Sequence, residues 1–312
     1  MDNLTHTLVG VALGEAGLRR RTRLATATLA IGANLPDVDA LIYLVGSDTD
    51  ALAFRRGHTH GVLAMLVLPL LLVGAMLLYD RWRPRADGDP GPPTRPGALL
   101  FLAALAVWSH PLLDWLNVYG VRLLMPFSDR WFYGDALFII DPWVWLALGI
   151  GVFMSRRRMR KQSPAPHRPA QIALLVGAAY LLAMIGSSRV GEAVVVAQAR
   201  DEAEATMIAP VPVSPVSRYV VRELPDGYET GTLRFDGAPR YEALERQPVG
   251  DDLTAAMDAA ATGPGRNFLS WARFPRFESW PEGDSVRVRI SDMRYGTGRE
   301  AGFAVVEVVV GR

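Results

Sequence analysis

The sequence contains no cysteine. Thiolate zinc sites, disulfide frameworks and thiol nucleophiles are therefore excluded, and any metal ion must be held by nitrogen and oxygen atoms. An excess of charge of one sign is also absent, since 33 lysines and arginines against 32 aspartates and glutamates leave a net charge of +1. Nucleic-acid binding, which needs a concentrated basic face, has no basis here. A G-x-S-x-G elbow, a phosphate-binding loop and an H-E-x-x-H motif are missing too, which disfavours a serine triad.

Apolar residues, by contrast, are abundant. They make up 50% of the 312 residues, and the mean hydropathy is positive at +0.15. This composition is typical of a membrane protein. Runs of about 17 to 25 apolar residues are long enough to cross the hydrocarbon core as helices. Four runs predict spanning helices: 61–79, 98–118, 137–154 and 170–186.

Shorter helices are predicted before the first span. Segments 4–18 and 24–33 are apolar, and a cluster of arginines separates them. The first segment would be only about 22 Å long as a helix, less than the roughly 30 Å of a hydrocarbon core. Asn34 and Pro36 should interrupt the second. We therefore expect a hairpin of two short helices, followed by another short helix over 40–46.

The composition changes after the last span. Residues 206–215 are rich in proline and predict a stiff linker. Residues 216–312 contain alternating and β-branched stretches typical of strands. The fold class predicted is thus mainly α: a polytopic membrane helical bundle over 1–205, with about four spanning helices plus the short N-terminal ones, and a small β-rich soluble domain over 216–312.

Histidine and aspartate cluster within the first part of this apolar sequence. Four of the five histidines occur there, each within a few residues of a carboxylate or another histidine. Imidazole and carboxylate together suit zinc, manganese or iron. Ionisable groups in an apolar setting are costly, so a functional role is the default interpretation. The four stretches are "MDNLTH" with His6, "GANLPDVD" with Asp37 and Asp39, "RRGHTHG" with His58 and His60, and "SHPLLDW" with His110 and Asp114.

Spacing gives each stretch a different weight. His110 and Asp114 are four residues apart on a predicted helix, so they share one face and can chelate one ion or bridge two. His58 and His60 would point the same way in an extended segment. The structural alternatives are a packing pair inside the bundle for the first pair and a histidine pair at the membrane interface for the second.

The remaining candidates are less specific. Asp37 and Asp39 follow a proline turn, where paired carboxylates can hold metal but also commonly cap a helix or form a turn. The sequence does not decide which of the two is a ligand. His6 opens the first helix and gains weight only beside the others. Arg56, or Arg55, could hold an anionic substrate such as a phosphate.

Tracing the chain through the predicted helices brings the four stretches together. The arginine-dense turns 19–23, 80–97 and 156–161 all fall on one side of the membrane, which the positive-inside rule makes cytoplasmic. The His/Asp stretches all fall near the opposite side. The sequence therefore predicts one site at the outer face of the inner membrane, and an extracytoplasmic C-terminal domain.

At this point a resemblance is apparent. "DNLTHTLVG", "GANLPDVD", "RRGHTHG" and "SHPLLDWLNVYG" resemble the motifs of a bacterial inner-membrane, metal-dependent hydrolase family that is also described as LexA-binding. That family is distantly similar to the zinc-dependent phospholipase C and single-strand nuclease superfamily. The resemblance implies His/Asp clusters that hold zinc, with His110 and Asp114 matching an H-x-x-x-D motif. It implies a LexA-type partner as well. A second motif of this kind has no counterpart here, so we expect one or two ions rather than three.

These patterns lead to one functional hypothesis. We expect an integral membrane hydrolase in which a water molecule activated by a divalent metal, zinc by preference, attacks a phosphoester or related ester, such as a phospholipid-like substrate, at the bilayer surface. The alternative is a non-catalytic membrane scaffold or regulator that presents the β-rich domain. The predicted metal ligands are His6, Asp37, His60, His110 and Asp114, and the predicted catalytic residues are Asp39, His58 and Arg56.

Overall fold

Residues 1–83, 91–296 and 302–311 are described in the structure of the protein, a computed structural model. Part of the predicted basic turn over 80–97, residues 84–90, lies outside the described residues. The chain divides into two compact units. The first contains Met1–Asp39 and Arg56–Ile185, and the second contains Ala40–Arg55 and Gly186–Arg312.

Helices dominate the first half of the chain. Three of them, α4, α5 and α7, are long and apolar enough to cross a membrane. In the described residues the helices before the first strand are α1 Asn3–Glu15, α2 Ala25–Gly32, α3 Asp48–Phe54, α4 Val62–Trp82, α5 Pro96–Trp115, α6 Pro142–Arg160 and α7 Arg168–Gln198.

The expected number of about four spanning helices is not confirmed. The segment predicted as the third span forms α6, but the last turns of this helix carry Arg156, Arg157, Arg158 and Arg160. Because of these charges, the apolar stretch of α6 is too short for this helix to count as a candidate membrane span beside α4, α5 and α7. On α4, in contrast, Leu66, Leu70 and Leu71 are more than half exposed, as expected for side chains that face lipid.

The predicted N-terminal hairpin forms. Asp2 caps α1 by accepting hydrogen bonds from the backbone N–H groups of Leu4 and Thr5. Helix α1 packs closely against α2. Gly10 has no side chain, so the backbone of Leu29 can lie directly against it. The segment after α2, expected to be a turn and a short helix over 40–46, is a 3-10 helix over Leu35–Leu44.

Apolar packing fixes α1 and α2 against the longer helices of the first unit. Leu29 and Ala33 are fully buried with Leu102 and Ala106 of α5. On the other side of α1, Ala12 packs with Val144 and Leu148 of α6. The two short helices thus carry their polar residues into the interior of a bundle.

The second unit contains two antiparallel sheets. One has the strand order β1-β2-β3-β4 and the other β5-β6-β7. Between them in sequence lie the short helices α8 Leu253–Ala261 and α9 Gly263–Leu269. The strands are β1 Ala205–Val211, β2 Ser214–Leu224, β3 Gly227–Arg234, β4 Arg240–Gln247, β5 Pro275–Glu282, β6 Ser285–Asp292 and β7 Val305–Gly311.

The predicted linker over 206–215 is wrong. These residues form β1 and its turn into β2, and the register of the pair shifts between Pro210 and Val211. Proline lacks an N–H group, but an edge strand tolerates it, particularly at an irregularity. The last turns of α7 also belong to this unit, where Val195 is buried with Ile208, Val220 and Leu233.

Candidate metal centre

Four of the predicted ligands meet in the first unit. Asp37 lies on the 3-10 helix, His60 directly precedes α4, and His110 and Asp114 lie one turn apart on α5. Each offers one nitrogen or oxygen atom, and these atoms all lie within 4.8 Å of one another. Segments far apart in the sequence therefore present a common donor set.

The spacing of these atoms suits a tetrahedral ion. The Nε2 atoms of His60 and His110 lie 3.4 and 3.5 Å from Oδ2 of Asp114. The same two nitrogens lie 3.9 and 3.7 Å from Oδ1 of Asp37. Ligands bound to one tetrahedral zinc ion at about 2.0–2.1 Å are about 3.3–3.4 Å apart. Four of the six donor separations are thus close to those that one ion requires.

The outer nitrogen of each histidine is already engaged. Nδ1 of His110 lies 2.6 Å from the carbonyl oxygen of Ala33, which can only accept, so this nitrogen carries the proton. Nδ1 of His60 faces Thr59 Oγ1 at 3.0 Å and Asp39 Oδ2 at 3.4 Å. In a neutral imidazole, a proton on Nδ1 leaves a lone pair on Nε2, and Nε2 of both rings faces the cluster.

Buried atoms without a hydrogen bond show where a ligand fits. Within the described residues, Nε2 of His60, Nε2 of His110 and Oδ2 of Asp114 are buried and make no hydrogen bond. Buried polar atoms normally have partners, and each exception needs an explanation. The residues present therefore fit a divalent metal, which would satisfy all three atoms at once.

Asp39 lies outside this donor set. Its Oδ2 accepts hydrogen bonds from the backbone N–H of Arg56 at 2.7 Å and from the Thr59 hydroxyl at 3.0 Å. It also faces Nδ1 of His60, on the side of the ring away from the cluster. This is the arrangement of a carboxylate that orients a ligating histidine. Asp37 therefore offers a donor atom to the cluster. Asp39 contacts His60 on the side of its ring that faces away from the cluster.

Arg56 is buried beside the cluster. Its Nε lies 3.1 Å from Oδ2 of Asp114. Its Nη1 donates to Asn117 Oδ1 at 3.0 Å and to the carbonyl of Gly120 at 3.2 Å, and the guanidinium stacks over the Tyr119 ring at 4.5 Å. We predicted that this residue binds an anionic substrate. In the structure its guanidinium contacts Asp114, and the role in substrate binding stays a prediction.

His6 and His58 occupy different positions from the four donors. His6 stacks on His110 with ring centres 3.7 Å apart, and its Nε2 lies 3.3 Å from the other oxygen of Asp114, Oδ1. The amino group of Met1 contacts this same oxygen. His58, which we predicted to be catalytic, is exposed and does not belong to the donor set. His58 and His60 point differently because the segment between them is a tight turn rather than an extended strand.

Comparison with known proteins identifies the family of this chain. Residues 1–190, which contain all four His/Asp stretches, match the YdjM inner membrane protein family. The chain belongs to this family. It is also similar to the uncharacterized protein YfhP of Bacillus subtilis (strain 168), with 25% identity over 317 residues that cover 95% of this chain and 87% of that protein. No solved structure matches. The YdjM match and the three candidate spans together make this a membrane protein.

The surroundings of the centre in this YdjM family member favour a neutral His60 and an ionised Asp37. Burial lowers the pKa of His60 below its usual range, which outweighs the opposite effect of Asp114. For Asp37, burial acts to raise the pKa, but the hydrogen bond and charge of His110 hold it well below the ordinary value. A neutral imidazole and an ionised carboxylate are the forms that bind a metal.

Two residues of the site are absent from the sequence-based set. Asn117 is fully buried and accepts hydrogen bonds from Arg56 and from the backbone N–H of Tyr119. Arg122 is buried, and its backbone N–H donates to the carbonyl of Arg56 at 2.9 Å. The sequence contains a signal for Asn117, because this residue is polar and lies in an apolar segment three positions after Asp114. Nothing in the sequence distinguishes Arg122 from other arginines.

Proposed function

We propose that this YdjM family protein is an integral membrane hydrolase that depends on a divalent metal, preferably zinc, and acts on a phosphoester or related ester. The observation that carries the proposal is the convergence of four donor atoms within 4.8 Å of one another, three of them buried without a hydrogen bond. His60, His110, Asp37 and Asp114 would hold the metal. When bound, it supplies a Lewis acid and a water molecule of lowered pKa.

The surrounding residues have distinct tasks in this proposal. Asp39 positions His60 and keeps its proton on Nδ1. Arg56 fixes the orientation of Asp114 through its Nε, while its Nη1 is anchored by Asn117. A burial-lowered pKa keeps His60 neutral and so able to bind.

The balance of side-chain charge supports an anionic substrate. Oδ2 of Asp114 lies 3.1 Å from Nε of Arg56, and the other oxygen of this carboxylate contacts the amino group of Met1. These cations offset the carboxylates of the centre, and a divalent ion would add two further positive charges. A phosphate group would then be attracted to the centre.

Orientation and partners belong to the same proposal. With the arginine-dense turns in the cytoplasm, the centre and the β-rich unit lie toward the outer side of the inner membrane. In this orientation α6 serves as a fourth crossing. A cytoplasmic LexA-type partner would then have no access to the centre.

The first experiment measures metal and activity together. Purified full-length protein should contain a stoichiometric divalent metal and hydrolyse a simple phosphodiester such as bis-p-nitrophenyl phosphate. His60→Ala and His110→Ala should each lose the metal and the activity. His167 contacts Glu15 at the opposite end of α1 from the metal centre. The variant His167→Ala should therefore retain both the metal and the activity. A wild-type protein without stoichiometric metal would contradict the proposal.

A non-catalytic scaffold is the second candidate, and one observation favours it. Arg56 and Asp114 form a buried ion pair. In a scaffold this pair would serve only to hold the bundle together. Chelation by EDTA would then leave the melting temperature of the wild-type protein unchanged, whereas bound metal stabilises the folded state and its removal should lower the melting temperature.

A further inference from the structure

A second polar site lies in the first unit, at the opposite end of α1 from the metal centre. It is a cavity of about 710 Å³. His6 and Glu15 lie nine residues apart on α1, so the two sites are separated by about 14 Å along this helix. The cavity is lined by four arginines, Arg19, Arg23, Arg156 and Arg160, together with Glu15 and the first turn of α2.

Positive charge exceeds negative charge in this cavity. Arg156 Nε and Arg19 Nη1 share the single carboxylate of Glu15, at 2.8 and 3.3 Å. Arg23 is paired with Asp80. No ion pair is formed by Arg160 within the described residues. Among the residues described around the cavity, four guanidinium groups therefore meet two carboxylates, which leaves an excess of two positive charges.

Backbone donors add to this potential. Helix α2 begins at Ala25 after Leu24, whose backbone is left-handed, and no side chain caps it. Ala25, Thr26 and Ala27 line the cavity, so the first turn of the helix borders it. The N-terminus of a helix carries partial positive charge and attracts anions. Arginine side chains and this helix end therefore act on the same space.

We propose that this arginine cavity binds the phosphate group of an anionic ligand. Guanidinium groups bind phosphate oxygens through paired hydrogen bonds, and several around one cavity select for a compact, multiply charged group. The volume exceeds what a single phosphate fills and suits a larger headgroup.

Two sources share this chemistry. Basic pockets between helices on the cytoplasmic side of a membrane commonly hold the headgroups of anionic lipids. A soluble phosphate compound would use the same contacts. The experiment therefore contains one arm for each source, and it does not involve the metal centre.

The test uses the full-length protein in detergent. Short-chain phosphatidylglycerol, short-chain phosphatidylcholine and inorganic phosphate are titrated separately, and binding is read by native mass spectrometry and by the shift in melting temperature. We expect phosphatidylglycerol or inorganic phosphate to bind, and phosphatidylcholine to bind less. Arg160→Gln should weaken the binding about three- to tenfold, because one charged donor is lost at an exposed position.

Matched variants separate a built site from a general basic surface. Arg157→Gln removes the same charge from an adjacent position of α6 that does not line the cavity, and it should change the affinity less than about twofold. Ala27→Glu places a carboxylate in the first turn of α2, where it favours the helix but repels an anion. It should abolish binding without lowering the melting temperature of the free protein, whereas Ala27→Gln should retain binding.

The outcomes are distinct. If Arg160→Gln and Ala27→Glu lose only the binding of phosphatidylglycerol, the ligand is a lipid headgroup. If they lose the binding of inorganic phosphate, the ligand is a soluble phosphate compound. The proposal is overturned if the wild-type protein binds neither probe, or if Arg157→Gln weakens binding as much as Arg160→Gln does.

Discussion

Asp37 and Asp39 lie two residues apart, yet they contact opposite sides of one imidazole. Asp37 Oδ1 is 3.9 Å from Nε2 of His60, and Asp39 Oδ2 is 3.4 Å from Nδ1. Successive residues of a 3-10 helix are about 120° apart, so alternate residues point in different directions. The sequence predicts that an aspartate of this pair serves the site. Which of them does so depends on a helix type that the proline turn alone does not determine.

Asp39→Asn tests this division of roles. Asparagine keeps the shape of the side chain, but it has no charge and can donate to Nδ1 of His60, which would move the imidazole proton to Nε2. We expect the affinity for the metal to fall about 10- to 100-fold, as is typical when the partner of a ligating histidine is lost. Competition with a coloured zinc chelator measures the affinity. Asp48→Asn, an exposed change at the start of α3, should bind as tightly as the wild type, and equal affinity of the Asp39 variant would refute the assigned role.

The other residues of the centre show what spacing can and cannot predict. His110 and Asp114 are one turn apart, and the helix brings them together as expected. Spacing does not distinguish His58 from His60, because only the turn between them directs one ring inward and the other to the surface. Arg122 enters the site through its backbone contact with Arg56, which has no signature in the sequence.

The hairpin of α1 and α2 depends on close contact between two helices. A Cβ atom on Gly10 would lie 2.4 Å from the carbonyl oxygen of Leu29 and 3.2 Å from Cβ of Ala33. Since the first of these atoms belongs to the backbone, the helices would have to separate. The glycine in "DNLTHTLVG" is therefore explained by packing rather than by chemistry at the metal centre.

Gly10→Ala should lower the free energy of unfolding by about 1–3 kcal/mol, as overpacking in a tight core typically does. Gly149→Ala is the matched control, because nothing lies within 4 Å of its added Cβ in α6. Alanine is favoured over glycine in a helix by about 1 kcal/mol, so the control should be as stable as the wild type or more so. Thermal unfolding in detergent compares the three proteins. A Gly10 variant that melts at or above the wild-type temperature would contradict the packing argument.

Among the elements of the second unit, the strands with alternating or β-branched residues are predictable, whereas β1, β4 and β5 are not. The stretches that form β2, β3, β6 and β7 alternate or are rich in β-branched residues, and the sequence indicates them. Strand β4 is almost entirely exposed and carries no apolar alternation. Prolines within β1 and β5 resemble linker sequence, although both are edge strands, where a missing N–H group costs little.

At the scale of the first unit, two chemically different ends are apparent. Glu15 joins Arg19 to Arg156 at one end of α1, and Arg23 pairs with Asp80 beside them. The described parts of all three arginine-dense turns therefore meet, as the sequence predicts. The metal centre lies at the other end of α1, around His6. Hydropathy and charge were sufficient to predict this polarity, because both act on whole segments and do not depend on the orientation of single side chains.

This polarity predicts the orientation of the whole molecule. Positively charged turns remain in the cytoplasm, so the end with Arg19 and Arg156 should lie there. One candidate span, α7, lies between this end and β1, so we expect the β-rich unit on the outer side. Alkaline phosphatase fused after Arg312 should be active, and a green fluorescent protein at the same position should be dark. Inserted after Gln162 in the basic turn, the two reporters should behave in the opposite way. If the reporter after Arg312 proves cytoplasmic, the metal centre faces the cytosol, and a LexA-type partner could then reach it.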